Sequence, residues 1–258
     1  MKTILITGCS SGYGLETARL FHQKGWNVVA TMRTPNPEVL APAERLRVVA
    51  LDVTRADSIA QALALAGPVD VLVNNAGIGL FGAFEATPME TVRDIFETNT
   101  FGTMALTQAV VPQMRARRSG LVINVTSSAT LAPFPLVAAY TASKTAVEGF
   151  TESLALELAG FDVQVKLVEP GYGPTTRFAA NGVERMQGLL PDDYMALAQS
   201  IFATLGQSTA VTTEAAVAEA VWRAANDASQ TLRYPAGDDA VELAERACQR
   251  LICSNRGN

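Results

Sequence analysis

Apolar, β-rich runs alternate with longer helical stretches along the whole chain, and that alternation restricts its fold more than any other feature. Strand-like runs fall at 3–7, 27–31, 46–51, 69–74, 120–125, 163–168 and 231–234. Most are unbroken Val/Ile/Leu runs without polar alternation, the pattern of strands covered on both faces. Helical patterns occupy 14–24, 56–66, 89–117, 140–159, 213–226 and 240–253. Strand–helix alternation of this kind requires a parallel sheet joined by right-handed crossovers. The expectation is an α/β fold: a doubly wound, Rossmann-type parallel sheet of about seven strands with helices on both faces. Residues 34–44 carry Pro35, Pro37 and Pro42, so that crossover is expected to be a loop. Thr87 before Pro88 reads as a helix N-cap with proline at the first helical position.

Composition narrows what such a sheet can serve. The 258 residues contain no linker-like tract, so one domain over 1–258 is expected, with 172–212 as a segment covering substrate. Twenty basic against 25 acidic residues give a net charge of −5 without a basic stripe, which excludes a general nucleic-acid binder. No apolar run approaches the ~20 residues that cross a bilayer, so no membrane insertion is expected. Cys9, Cys248 and Cys253 form neither a disulfide framework nor a metal spacing. His22 is the sole histidine, which nearly excludes a His-based metal site or a Ser-His-Asp triad. Ile6-Thr7-Gly8-Cys9 imitates a lipoprotein cleavage box, but only three apolar residues precede it after Thr3, against the ~7–15 such a signal needs. The segment reads as a strand entering a turn, and a cytoplasmic location is expected.

That turn is the first candidate site. Gly8-Cys9-Ser10-Ser11-Gly12-Tyr13-Gly14 stands between the first strand and the first helix. There, glycines let backbone approach a pyrophosphate held at a helix N-terminus. Further along come Asn74-Asn75-Ala76-Gly77 after the fourth strand and Asn99 in a helical stretch. Ser127 follows the fifth strand, Tyr140-Thr141-Ala142-Ser143-Lys144 follows it, and Pro170-Gly171 follows the sixth strand with Thr175 beyond. Tyr140 and Lys144 are four apart and share a helix face. A phenol ordinarily titrates near ~10, and a nearby ammonium would bring it closer to neutrality.

In this order and spacing the motifs resemble the short-chain dehydrogenase/reductase family, in its compact single-domain branch. The resemblance runs motif by motif over residues 1 to about 175, and more loosely onward through Arg233-Tyr234-Pro235. It implies Tyr140 as general acid/base, Lys144 gripping the nicotinamide ribose, Ser127 bonding the substrate oxygen and Asn99 holding a relay water. It implies cofactor contacts from Gly8, Ser10, Ser11, Gly12, Tyr13 and Gly14, then Asp52, Val53, Asn75, Ala76, Gly77, Tyr140, Lys144, Pro170, Gly171 and Thr175. Ser127 rather than Ser128 fits the family's gap of 13 to the tyrosine. Thr126 replaces the first serine of the family's usual pair, Thr130 replaces a usual glycine, and Tyr13 replaces a usual aliphatic residue.

The cofactor choice has its own signal. No Asp or Glu lies between Glu16 and Glu38, whereas an NAD site usually carries an acid at the end of the second strand. Arg33 stands just beyond that position, where a guanidinium can pair with a 2′-phosphate. NADP(H) is therefore expected, with an alcohol/carbonyl pair as small-molecule substrate. The apolar residues Phe178, Met186, Leu189, Leu190, Tyr194, Met195, Ile201 and Phe202 suit a lipophilic ketone, aldehyde or secondary alcohol. They equally suit ordinary packing. A homodimer or homotetramer is implied by the resemblance. The alternative is a catalytically silent dinucleotide-binding regulator or scaffold.

Overall fold

The computed structural model describes residues 1–174, 176 and 183–254. Among them seven strands form one parallel sheet: β1 (Thr3–Ile6), β2 (Asn27–Met32), β3 (Leu46–Ala50), β4 (Val71–Asn74), β5 (Gly120–Val125), β6 (Val163–Pro170) and β7 (Arg233–Ala236). Their order is β3-β2-β1-β4-β5-β6-β7, every neighbouring pair parallel. Successive side chains on a strand point to opposite faces, and the core divides accordingly. Ile4 and Ile6 join one buried cluster with Phe21, Trp26, Val217 and Val221. Leu5, between them, joins another with Ile59, Ala62, Leu106, Val110 and Met114. The first layer rests on α1 (Gly12–Gln23) and α8 (Glu214–Asn226), the second on α2 (Ala56–Ala66), α4 (Gly102–Arg117) and α5 (Ala138–Leu158). This is the doubly wound Rossmann-type sheet expected from the alternation.

Three local readings change. The stretch 89–117 is not one helix: α3 (Met89–Phe96) passes into a π-helical turn, Glu97–Phe101, before α4. Thr87 does not cap α3. Its hydroxyl donates to the Ala83 carbonyl at 2.9 Å, closing the short 3-10 turn Phe84–Ala86, and Pro88 takes the cap position. The stretch expected to cover substrate contains helices that the sequence pattern had not marked, α6 (Val183–Met186) and α7 (Asp192–Gln207). The last helix, α9 (Asp238–Ser254), follows β7. His22 lies on α1 with its Nε2 at 2.8 Å from the Glu44 carbonyl.

The order reverses between β1 and β4, so β1's continuation runs one way to β2 and β4's runs the other. At such a switch point the carboxyl ends of the strands open a crevice, where ligands of these folds sit.

Candidate active site

The crevice is built by stitching two loops together. Asn75 donates its side-chain amide to the Thr7 carbonyl at 2.8 Å, while the backbone N–H groups of Asn75 and Ala76 donate to the Thr7 hydroxyl at 2.9 and 2.8 Å. The glycines follow from this closeness. Gly8 has φ +74, and a Cβ there would lie 2.9 Å from the Ala76 Cα; one on Gly14 would lie 2.4 Å from Asn75 Nδ2. Gly12 has φ +57, and a Cβ there would make ordinary contact with Thr176 at 3.8 Å. Ser11 caps α1 in extended conformation without a side-chain bond, and the first turn of α1 holds no acidic residue. A bare, positively polarised helix end beside a glycine cradle fits a pyrophosphate. Ser10 is exposed beside it.

Arg33 projects exposed past β2. Its charge reaches Asp52, behind β3. Partial burial works to raise the Asp52 carboxyl, but hydrogen bonds from Thr54 and the guanidinium charges of Arg33 and Arg55 hold it below the usual carboxylate range. Val53, next to Asp52, is buried and packs against Gly102 at the start of α4.

On the other side of the crevice four polar side chains converge. Tyr140 and Lys144 lie on one face of α5, both nearly buried. Ser127, extended at the end of β5, hydrogen-bonds with the Tyr140 phenol. Asn99, in the π turn, accepts from the Ile78 N–H at 2.8 Å and donates to the Ile78 carbonyl at 3.0 Å and to Ser143 Oγ at 3.1 Å. Gly77 sits between Asn99 and Lys144, since a Cβ there would lie 3.2 Å from Asn99 Oδ1 and 3.3 Å from Lys144 Nζ. Ser127, not Ser128, meets the tyrosine; Ser128 opens a 3-10 turn.

The electrostatics differ from the simple expectation for a Tyr–Lys pair. Burial pushes the Tyr140 phenol up to about 12, and the hydrogen bond with Ser127 only partly offsets this. Burial likewise pulls Lys144 down to about 8, against the raising influence of Glu148. The ammonium donates to the Val125 carbonyl at 3.1 Å. Desolvation therefore outweighs any help the ammonium gives a phenolate, and the phenol keeps its proton at neutral pH.

Tyr13 spans the crevice. Its hydroxyl lies where a Cβ on residue 173 would come within 2.1 Å, so glycine at 173 makes room for the phenol. Burial first, then the proximity of Tyr140, Glu214 and Asp239, pushes that phenol upward. After β6, the Gly171 N–H donates to the Ala236 carbonyl and to the Thr212 hydroxyl, and the Tyr172 N–H donates to Asp239 at 2.6 Å. Thr212 and Asp239, which order this turn, come from segments distant in sequence, so no local pattern points to them. Thr175 and Phe178 lie outside the described residues.

Much of the described part of 172–212 packs on protein. Leu189 is buried with Leu80, Ile95, Ala139 and Tyr140, while Leu190 and Tyr194 pack on a cluster containing Ile201. Met186 is half-buried, Met195 is more exposed, and the exposed Phe202 ring meets Phe81 at 5.0 Å between centroids.

Comparison with known proteins follows this geometry. The family described as short chain dehydrogenase matches residues 2–186. Human retinol dehydrogenase 8 is 45% identical over 181 residues, covering 66% of this chain and 58% of that protein. The chain thus spans little more than half of that relative's length. The crystal structure of a short-chain dehydrogenase from Streptomyces avermitilis superposes with a TM-score of 0.81 at 35% identity, covering 98% of this chain and 94% of the other. The closed form of a serine dehydrogenase complexed with NADP+ gives 0.77 at 29% identity, covering 90% and 93%.

Proposed function

Because the chain belongs to the short-chain dehydrogenase/reductase family of oxidoreductases, we propose that it moves hydride between NADP(H) and a lipophilic alcohol/carbonyl pair. The observation that carries this reading is the meeting of Ser127, Tyr140, Lys144 and Asn99 beside the glycine cradle. A bound nicotinamide supplies or takes up the hydride. The protein's own groups handle the oxygen and the proton. Tyr140, its phenol pushed up to about 12, holds a proton ready for a carbonyl oxygen. Ser127 shares that oxygen as a second hydrogen-bonding group. Lys144 fixes a positive charge one helical turn away and binds the cofactor's ribose. Asn99 ties the loop after β4 to α5, so that cradle and proton donor keep their spacing.

Gly8, Ser10, Ser11, Gly12, Tyr13 and Gly14 would hold the pyrophosphate end, with Asn75, Ala76 and Gly77 along the crevice. Asp52 and Val53 would meet the adenine, and Pro170, Gly171 and Thr175 the nicotinamide end. Arg33, in the absence of a competing acid, would read the 2′-phosphate. Support for NADP comes from that arginine and from the structural relative whose complex contains NADP+. Support for a lipophilic substrate comes from the apolar covering segment and from a relative named for retinol.

The test is a panel of bulky apolar and small polar ketones and aldehydes, each with NADPH and NADH, followed by absorbance at 340 nm. Turnover of the bulky set with NADPH is expected. No turnover with any member, despite bound cofactor, would instead favour a silent dinucleotide-binding regulator.

A further inference from the structure

The motif Arg233-Tyr234-Pro235 has no part in the reaction just described, yet its arginine closes a polar network that reaches the active site. On β7, Arg233 pairs with Glu148 at 3.1 Å, with Glu152 at 2.6 Å and with Glu169. Glu148 and Glu169 are buried, and Glu169 Oε2 finds no partner among the described residues. Three carboxylates on one guanidinium is an expensive arrangement for a purely structural tie, since each buried charge loses hydration.

Glu148 is the member that faces the site. It stands one helical turn beyond Lys144, on the face of α5 that also carries Tyr140. Its Oε1 accepts from the Thr130 hydroxyl, whose oxygen also lies 2.6 Å from the Ser127 carbonyl, so that one proton is shared between the carboxylate and the carbonyl.

We propose that Glu148 is a positioning residue of the active site, serving as counter-charge to Lys144 and, through Thr130, as anchor of the Ser127 turn. The inference rests on the reading of Lys144 and Ser127 as active-site groups. The charged and titratable groups around the pair are Tyr140 and Glu152 on α5, Arg233 on β7 and Glu169 on β6. Lys144 also faces Asn99 and Gly77, which carry no charge. Glu148 works against the burial that pulls Lys144 down to about 8, so it keeps the ammonium charged further into the alkaline range. Arg233 holds the carboxylate in place from the opposite side.

The chain has four lysines, Lys2, Lys24, Lys144 and Lys166, so protein labelled at lysine 13Cε gives a spectrum in which each can be titrated. The Lys144 resonance is assigned with Lys144→Met. Glu148→Gln removes the charge and leaves an oxygen to accept from Arg233, while at Thr130 the bond reverses, the amide donating where the carboxylate accepted. The Lys144 midpoint is expected to fall by about one pH unit in this variant, and the alkaline fall of carbonyl reduction to move with it. Glu152→Gln, exposed and bound to the same arginine, should leave the midpoint where it is. Thr130→Val should leave the midpoint alone and raise the substrate KM about tenfold, the loss of one hydrogen bond to an active-site turn. An unmoved Lys144 midpoint in folded Glu148→Gln overturns the counter-charge role. Wild-type KM and kcat in Thr130→Val overturn the anchor, even should Glu148→Gln not fold. Absence of turnover in the wild-type protein would count against the functional reading instead, and leaves the lysine titration intact.

Discussion

In the proposed reaction, a phenol, an ammonium and a hydroxyl beside one crevice carry the chemistry at the scale of single residues. Tyr140→Phe keeps the ring and removes the proton, so turnover should fall about 10²- to 10⁴-fold. Cofactor affinity, read by quenching of tryptophan fluorescence, should stay within about threefold. A variant that turns over near the wild-type rate would remove Tyr140 from the reaction. Arg33→Ala should raise the KM for NADPH about 10- to 100-fold, the range set by a lost charge-assisted hydrogen bond of ~1.5–3 kcal/mol, while leaving NADH nearly untouched. An unchanged ratio of the two cofactors would show that another group reads the phosphate. The sequence could single out Ser127, Tyr140, Lys144 and Asn99 as candidates because the proposed reaction constrains their types and spacing. Their titration was not: a neighbouring ammonium argues for a lowered phenol, whereas burial pushes Tyr140 up to about 12.

At the scale of elements, the informative places are where regular structure gives way. The π turn Glu97–Phe101 inserts between α3 and α4 and puts Asn99 against both Ile78 and Ser143. Such turns are frequent at functional sites. The sequence reading of one helix over 89–117 missed this turn because Glu97–Phe101 holds no glycine or proline to mark an interruption. The Tyr13–Gly173 contact joins α1 to the segment after β6. Gly173→Ala should therefore lower stability by about 1–3 kcal/mol through overpacking against the Tyr13 hydroxyl. Adding Tyr13→Phe should recover part of that loss, because the colliding atom is gone. Thermal unfolding of the four members of this cycle measures the coupling. Simple additivity would mean the two side chains do not meet.

For the whole molecule, the parallel sheet fixes where everything else can be. Its switch between β1 and β4 brings the glycine turn and the loop after β4 together, and β5 and α5 complete the crevice. Among the described residues no helix is long and apolar enough to cross a membrane. The outward side of α4 and α5 carries the exposed Leu156 and, at its margin, Phe101. We propose a dimer or tetramer that covers these faces, as the family resemblance implies. Light scattering should report at least twice the 27.3 kDa chain mass; a monomer at working concentration would refute this.

Sequence alone determined the parallel α/β sheet, because unbroken Val/Ile/Leu strands between helices can satisfy their apolar faces in no other common way. It also determined the glycine turn and the Ser127–Tyr140–Lys144 set, whose spacing is local or nearly so. Only the tertiary structure decided that Gly8 and Gly14 are needed for loop-on-loop contact with Asn75 and Ala76. Only it brought Arg233, 85 residues beyond Glu148, into the network behind Lys144, and Asp239 under the loop that follows β6. Such partners leave no periodic trace along the chain: an ion pair between distant strands and helices depends on their register and packing, and burial, which sets the protonation of Tyr140 and Lys144, exists only once the layers have closed.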